Sequence, residues 1–273
     1  MSGASNTTAG GAAPSTSELA QPSLVTRSRD LLTAWDAQQA AYITGREARF
    51  TMMLDILEHV LPPDGVVLDL ACGPGSITAR VLDRFPDVTC IAADYDPVLL
   101  ELGRNALAHH GDRVRFVDVD LWDAEWTSAL GDARPDAVLS STALHWLPAD
   151  VLARVYGDLA ATVAPGGVVL NADHLRHLDG RPLFEELSRL DDERTQQRDR
   201  AAGAKDWDGW WADVTSVAEY AALAVERDRR FAHRPPNPEL SLTFHVEALR
   251  MAGFAEAGPV WQHFDDYIVL ARR

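Results

Sequence analysis

Apolar residues recur at helical spacing at the start of the chain and then change to short uninterrupted runs. Residues 23–64 predict two N-terminal helices, the second with Phe50, Met53 and Leu57 on one face. Short apolar strands separated by helices are typical of a parallel sheet that is covered on both faces. From residue 65 onward, helical stretches alternate with five such runs, at residues 66–71, 88–93, 114–119, 137–141 and 168–172. The pattern therefore predicts a doubly wound α/β fold.

The alternation breaks after residue 174. Residues 175–240 predict two or three polar helices and no strand, and a helix near 244–251 with apolar runs around Val260 and Ile268 then completes a mostly parallel seven-stranded sheet. We therefore assign the core domain to residues 65–174 and 241–273. We interpret residues 175–240 as a helical cap over the carboxyl edge of the sheet, where such folds bind ligands. A purely structural helical subdomain is the alternative.

The N-terminal segment and the cysteines bear on the setting of the protein. Residues 1–22 are small and polar, without a basic start or an apolar core, which predicts a disordered tail and not a signal peptide. Nowhere do about 18 apolar residues follow one another, as a membrane helix requires. The two cysteines, Cys72 and Cys90, have no metal-ligand spacing. We expect a cytoplasmic protein with no metal site and no membrane partner.

Charge narrows the class of partner. Lys and Arg together number 25 and Asp and Glu 41, which gives a net charge of −16 over 273 residues. A surface this acidic repels phosphate backbones, because nucleic-acid binding relies on basic contacts. We therefore expect no nucleic-acid partner. As to assembly, we expect a monomer or homodimer.

A glycine loop follows the first predicted strand. Gly73 and Gly75 allow a sharp turn and the close approach of a ligand to the backbone. A dinucleotide fingerprint would have a third glycine where this chain has Thr78. Asp69 lies within the strand that leads into the loop.

Acidic residues also stand at the ends of the next two predicted strands. Asp94, followed by Tyr95, ends the second, and its carboxylate can accept hydrogen bonds from both hydroxyls of a ribose. Asp120, followed by Leu121, ends the third, where it can accept a hydrogen bond from an adenine amine while Leu121 or Trp122 covers the ring. Together with the glycine loop, these acids predict a site for an adenosine-containing ligand.

Four segments resemble motifs of the class I S-adenosylmethionine-dependent methyltransferases. VVLDLACGPGSIT resembles the first motif, with Ala71 in place of its first glycine; IAADYDP resembles the ribose motif, VRFVDVDLWD the adenine motif, and VAPGGVVLNADH the turn into the fifth strand. The resemblance covers about residues 45–172 and 241–272. Residues 140–167 also resemble small-molecule members of the trans-aconitate methyltransferase type.

The resemblance implies a Rossmann-like methyltransferase fold and S-adenosylmethionine as cofactor. Asp94 would hold the ribose and Asp120 the adenine amine, while Gly73 and Gly75 would pack on the methionine part. Ala71 still leaves little side chain against the cofactor. The whole cofactor-binding set is Asp69, Ala71, Gly73, Gly75, Asp94, Tyr95, Asp120 and Leu121.

Two histidines are candidate bases. Methyl transfer from a sulfonium is an in-line displacement, so a base is needed only when the nucleophile arrives protonated. His145 follows the fourth predicted strand and His174 the fifth. Alternatively, His145 packs beside Trp146 and shapes the pocket. Amino-methylating enzymes for adenine or glutamine have an Asn/Asp-Pro-Pro-aromatic motif after strand four, and this chain has SSTA there.

The substrate residues are predicted on the N-terminal helices and the cap. Tyr42 and Arg46 should lie near the cofactor, where an arginine can bind a carboxylate bidentately; for Arg49 we favour a surface ion pair. Trp146, Trp207, Trp210 and Trp211 are candidates for lining a substrate pocket, although the three in the insertion can equally anchor the cap on the core.

The leading hypothesis is O-methylation of a carboxylate or hydroxyl of a small molecule. N- or C-methylation of a natural product and a non-transferring protein of the same fold remain alternatives. A nucleotide-dependent oxidoreductase is a further alternative, against which Thr78 and Asp120 weigh.

Overall fold

A computed structural model describes residues 22–175, 180–236, 238 and 240–273. The predicted tail therefore lies outside the described residues except for Pro22. Two helices precede the sheet, α1 (Leu24–Tyr42) and α2 (Arg46–Val60). The Ser23 hydroxyl caps α1 by accepting a hydrogen bond from the Thr26 N–H.

Seven strands form one sheet. They are β1 (Val66–Leu70), β2 (Thr89–Asp94), β3 (Val114–Asp118), β4 (Ala137–Ser141), β5 (Val168–His174), β6 (Glu256–His263) and β7 (Asp266–Arg272). Their spatial order is β3-β2-β1-β4-β5-β7-β6. The first five are parallel, whereas β7 runs antiparallel to both β5 and β6. The predicted doubly wound, mostly parallel seven-stranded sheet is confirmed.

Helices cover both faces of this sheet because successive strand residues point to opposite sides. The connecting helices are α3 (Ser76–Arg84), α4 (Pro97–Ala106), α5 (Ala149–Thr162) and α9 (Leu242–Ala252). Leu68 and Leu70 share a cluster with apolar residues of α5 and α9. Val67 instead shares one with residues of α2 and α3.

The described residues between β5 and α9 form three helices. They are α6 (Pro182–Ala201), α7 (Trp207–Thr215) and α8 (Ala218–Phe231). Residues of α7 and α8 form a separate apolar cluster with α1 and α4. At its centre Trp210 is fully buried, with its ring 4.7 Å from that of Trp35 and its Nε1–H donating to the Leu31 carbonyl over 3.1 Å. Trp210 thus anchors these helices to the core.

The topology places an open crevice at the carboxyl ends of β1 and β4. The chain builds outward from β1 through β2 to β3 in one direction, then resumes at β4 on the opposite side of β1. Connections therefore leave these two strands in opposite directions, and ligands of such sheets bind at this point. Of the helices in the described ranges, none is long and apolar enough to cross a membrane.

Candidate active site

The loop from β1 to α3 takes a left-handed backbone conformation at several positions. Gly73 and Gly75 have φ angles of 55° and 86°, which glycine adopts without steric penalty. Ala71 has φ 57°, so the alanine at the motif's first glycine position sits in a conformation that disfavours a Cβ atom. The predicted glycine loop forms with these residues at its turns.

Asp94 connects this loop to the end of β2. Its Oδ2 accepts a hydrogen bond from the Gly73 N–H over 2.7 Å, and its Oδ1 accepts bonds from Tyr95 N–H and Asp96 N–H over 2.7 and 2.8 Å. Burial raises the pKa of Asp94 to about 6 in spite of these bonds. A carboxylate oxygen has more than one acceptor site, so this oriented group can still bind ligand hydroxyls.

Asp69 is held from the α3 side by Thr78. The Thr78 hydroxyl and N–H donate to Asp69 Oδ2 over 2.6 and 3.2 Å. The carboxyl is 1% exposed, and burial raises its pKa to about 7. In the sequence, Thr78 stands out only because the dinucleotide fingerprint would have its third glycine there. The structure shows it as the partner of a buried acid.

The main cavity, of about 740 Å³, opens beside this loop. Its size is within the range of small-molecule sites. The walls come from α1 and α2, the loops after β1, β2 and β4, and the end of α8. Described lining residues include Trp35, Gln39, Arg46, Phe50, Asp69, Ala71, Gly73, Ser76, Asp94, Asp96, Thr142, Trp146, Trp207, Arg227, Phe231 and Arg234.

A smaller side pocket of about 170 Å³ adjoins the main cavity and shares Ala71, Asp94 and Trp146 with it. Its walls are mostly apolar and aromatic, formed by Ala93, Tyr95, Val119, Leu121, Trp122 and Leu147 among others. Asp120 also lines it, with Oδ1 accepting from the Trp122 N–H over 3.0 Å. A mostly apolar slot with two carboxylates, Asp94 and Asp120, fits an adenine ring and its amine.

The two candidate bases form buried or half-buried ion pairs. His145 Nδ1 lies 2.6 Å from Asp173 Oδ1, and His174 Nδ1 lies 2.5 Å from Asp266 Oδ1. Burial alone would raise the pKa of Asp173, but the neighbouring His145 lowers it to about 2. Of the described residues that line the main cavity, none is a histidine. Neither the His145 ring nor the His174 ring therefore contacts the main cavity.

The predicted substrate residues separate into two groups. Arg46 and Trp146 line the main cavity, where Arg46 is 5% exposed and Trp146 is 58% exposed. Tyr42 lies beside Arg200 in a separate surface hollow. Neither Trp210 nor Trp211 is in the described wall of the main cavity. The interpretation of these two tryptophans as pocket residues is thus replaced by an anchoring role.

The expectation of a surface position for Arg49 was wrong. Its side chain is fully buried, and Nη1 lies 3.5 Å from Asp266 Oδ1. Trp207, which the sequence offered as a pocket residue, does line the main cavity. Other described cavity residues from the insertion were not predicted: Arg227, Phe231, Arg234, Pro235 and Pro236. The available signal was the helical spacing of arginines at 227, 230 and 234.

Comparisons with known proteins agree with this geometry. A model of the methyltransferase domain matches residues 67–167. The trans-aconitate 2-methyltransferase of Methylobacterium radiotolerans is 35% identical over 137 residues, 49% of this chain and 48% of that protein. That of Sinorhizobium medicae is 31% identical over 203 residues, 72% of this chain and 70% of that protein. The match thus spans about half the length of the first relative and more than two thirds of the second.

A solved structure supports the fold. An O-methyltransferase family protein from Burkholderia thailandensis is 20% identical, with a TM-score of 0.52 over 92% of this chain and 71% of that one. The fold, the motifs and the Sinorhizobium relative together show the family. This chain belongs to the class I S-adenosylmethionine-dependent methyltransferases.

Proposed function

We propose that this protein methylates a carboxylate oxygen of a small anionic molecule. S-adenosylmethionine supplies a methyl group bonded to positive sulfur, and a carboxylate oxygen can displace the thioether without losing a proton. In this proposal the side pocket takes the adenine, Asp94 the ribose hydroxyls, and the main cavity the methionine part and the acceptor. Asp94 is suited to its role because it lines both spaces.

The observation that carries the proposal is the placement of Arg46. This guanidinium lines the main cavity and is nearly buried, in a chain whose net charge is −16. Among the described residues, its one carboxylate hydrogen bond runs from Nη1 to Asp36 Oδ1 over 2.8 Å, and Glu47 Oε1 lies 3.6 Å from the same nitrogen. An arginine has five N–H donors in a planar fork that matches a carboxylate. Arg46 therefore has donor capacity for an acidic ligand.

The chemistry of the cavity wall favours an acceptor that is already deprotonated. Its described residues include no histidine, lysine or tyrosine. The described wall does contain three carboxylates. Asp69 is held by Thr78, Asp96 lies 2.6 Å from Arg227, and the proposal assigns Asp94 to the ribose, so none of them is assigned to the acceptor. A hydroxyl or ammonium acceptor requires a base, whereas a carboxylate does not.

The relatives support the same substrate class. Trans-aconitate, named for the Methylobacterium and Sinorhizobium enzymes, is a polycarboxylate. We extend only that class to this chain, because fold similarity does not determine the substrate.

Kinetics on matched acceptors test the proposal. Trans-aconitate and other small polycarboxylates are compared with their neutral amides, following formation of S-adenosylhomocysteine. We expect turnover with the anions, and a KM raised roughly tenfold or more in Arg46→Met, because charge-assisted bonds contribute about 1.5–3 kcal/mol. Asp36 keeps Arg80 as a partner at 3.1 Å, so this variant leaves no unpaired acid there.

Arg84→Met is the matched control. Arg84 pairs with Asp55 and Glu58 on the α2–α3 surface and is not in the described wall of the cavity. Its KM should equal that of the wild type. Equal turnover of neutral amides and anions would contradict the proposal. If Arg46→Met instead loses affinity for S-adenosylhomocysteine, Arg46 binds the cofactor and not the acceptor.

A further inference from the structure

Three arginines connect α8 and the residues after it to the ends of β2 and β3. Arg227 Nε lies 2.6 Å from Asp96 Oδ2. Arg230 forms two bonds of 2.8 Å with the two oxygens of Asp118, and donates to the Tyr95 carbonyl over 2.8 Å. Arg234 Nη2 lies 2.6 Å from Asp120 Oδ2. Each ion pair joins residues more than 100 positions apart in the chain.

The same segment forms part of the wall of the side pocket. Phe231, Arg234 and Pro235 line it opposite the strand ends. The Phe231 ring is 5.5 Å from that of Tyr95, and the Arg234 guanidinium lies 4.8 Å from the centres of both the Tyr95 and Trp122 rings. A planar ligand bound in this pocket would therefore be enclosed by residues of the insertion.

We propose that these arginines form a latch that closes the insertion over the adenine pocket and limits the rate of cofactor exchange. The latch is defined as Arg227, Arg230 and Arg234 with their partners Asp96, Asp118 and Asp120. The inference rests on the proposed cofactor site and adds a gate to it. The three ion pairs hold the segment against the pocket, so we expect the latch to open both for entry and for release of the cofactor.

The physical character of the pairs suits a gate. Arg230 and Asp118 have 17% and 48% of their side chains exposed. Ion pairs at such sites are worth about 1 kcal/mol or less and are screened by salt. Arg234 and Asp120, which are 24% and 31% exposed, form a second pair of this kind. Asp96 is only 4% exposed, so its pair with Arg227 is screened less by salt and is the firmest of the three. The apolar cluster around Trp210 keeps the rest of the insertion attached to α1 and α4.

Ion pairs that open during cofactor exchange (a gate) and ion pairs that only stabilise the fold (a strut) have different effects on the rates of cofactor binding. Weakening a gate that is closed in both free and bound states raises the association and dissociation rates together and leaves the dissociation constant nearly unchanged. Weakening a strut changes stability but not exchange. Arg230 is the informative position because it belongs to the latch but not to the described wall of either pocket.

The test is stopped-flow tryptophan fluorescence with S-adenosylhomocysteine as the probe, since Trp122 lines the pocket. Arg230→Gln should raise both rate constants about fivefold, as expected for loss of one partly exposed pair. Arg250→Gln is the matched control, because Arg250 pairs with Glu247 on α9 and lies in the described wall of neither pocket. Its rates should match those of the wild type. The charge swap Arg230→Asp with Asp118→Arg should return the rates toward wild type.

Salt provides a second readout that needs no variant. Between about 0.01 M and about 1 M salt the Debye length falls from about 30 Å to about 3 Å. As the salt concentration increases over this range, the association and dissociation rate constants of the wild type should both rise. Those of Arg230→Gln should rise less. Binding with rates that neither salt nor Arg230→Gln changes would overturn the latch and leave the cofactor site standing. No binding by the wild type would overturn both.

Discussion

The Gly73 N–H donates a 2.7 Å hydrogen bond to Asp94 Oδ2, which connects the loop after β1 to the end of β2. The N–H groups of Tyr95 and Asp96 donate to the other oxygen in the same way. Three backbone donors therefore fix the orientation of the carboxylate proposed for the ribose. Such preorganisation reduces the entropy that binding must overcome.

Cofactor affinity should fall in mild acid. Ribose hydroxyls donate to an ionised Asp94, whose pKa burial raises to about 6. Protonation below that value removes the charge, so the dissociation constant for S-adenosylhomocysteine should rise about tenfold between about pH 7.5 and about pH 5. Calorimetry at both pH values measures it.

Asp94→Asn is the control for this pH dependence. It should bind more weakly at neutral pH, with little further change toward pH 5. A pH dependence equal to that of the wild type would exclude Asp94 as its source.

Asp69 should contribute stability in the opposite direction from an ordinary salt-bridged acid. Burial raises its folded-state pKa to about 7, above the unfolded value near 3.8. Between these values the folded state binds more protons, so this contribution to the free energy of unfolding increases as pH falls. Urea unfolding measures this. From about pH 8 to about pH 5, the free energy of unfolding of the wild type should rise relative to that of Asp69→Asn. A constant difference would contradict this.

His145 should prove structural for a carboxylate acceptor. Asn at this position can still donate to Asp173 but cannot accept a proton at neutral pH, so kcat of His145→Asn should stay within about tenfold, against the 10²–10⁴ typical of a lost base. His145→Ala removes the side-chain partner of the buried Asp173, which keeps the backbone N–H donors of residues 145 and 174, and should destabilise by about 3 kcal/mol. A loss of the acid limb of the pH–rate profile in His145→Asn would instead identify a base.

Substitution of Trp210 should affect mainly stability, whereas substitution of Trp207 should affect mainly substrate binding. Trp210→Ala removes a fully buried ring and should reduce the free energy of unfolding by about 3–5 kcal/mol. Trp207 is 40% exposed and lines the main cavity, so Trp207→Ala should change KM with a much smaller loss of stability. Denaturant titrations and steady-state kinetics of the pair provide the comparison. The reverse pattern would contradict the assignment.

Local patterns predicted the fold well, because its strands are apolar runs bounded by helices and by proline or glycine. The strand predicted at 137–141 agrees with β4, and the others end within two residues of the prediction. The acids at the strand ends were also visible, because parallel strands bring their carboxyl ends to one edge.

Contacts between distant parts of the chain were not predictable in this way. Arg49 resembles a surface residue in its helix, and only the fold brings it to Asp266, 217 positions away. The partner of His145, Asp173, likewise comes from a neighbouring strand. Periodicity indicates which face of an element is buried, but it contains no information on which charged residue lies opposite.

The central claim is that the acceptor atom is a carboxylate oxygen. The most direct test is to incubate the protein with methyl-labelled S-adenosylmethionine and a small polycarboxylate, then treat the purified product with alkali. A methyl ester hydrolyses and releases the label as methanol, whereas methyl ethers, amines and carbon-bound methyl groups retain it. If the acceptor is a carboxylate oxygen, the label is released as volatile methanol. Label that stays with the product would contradict it.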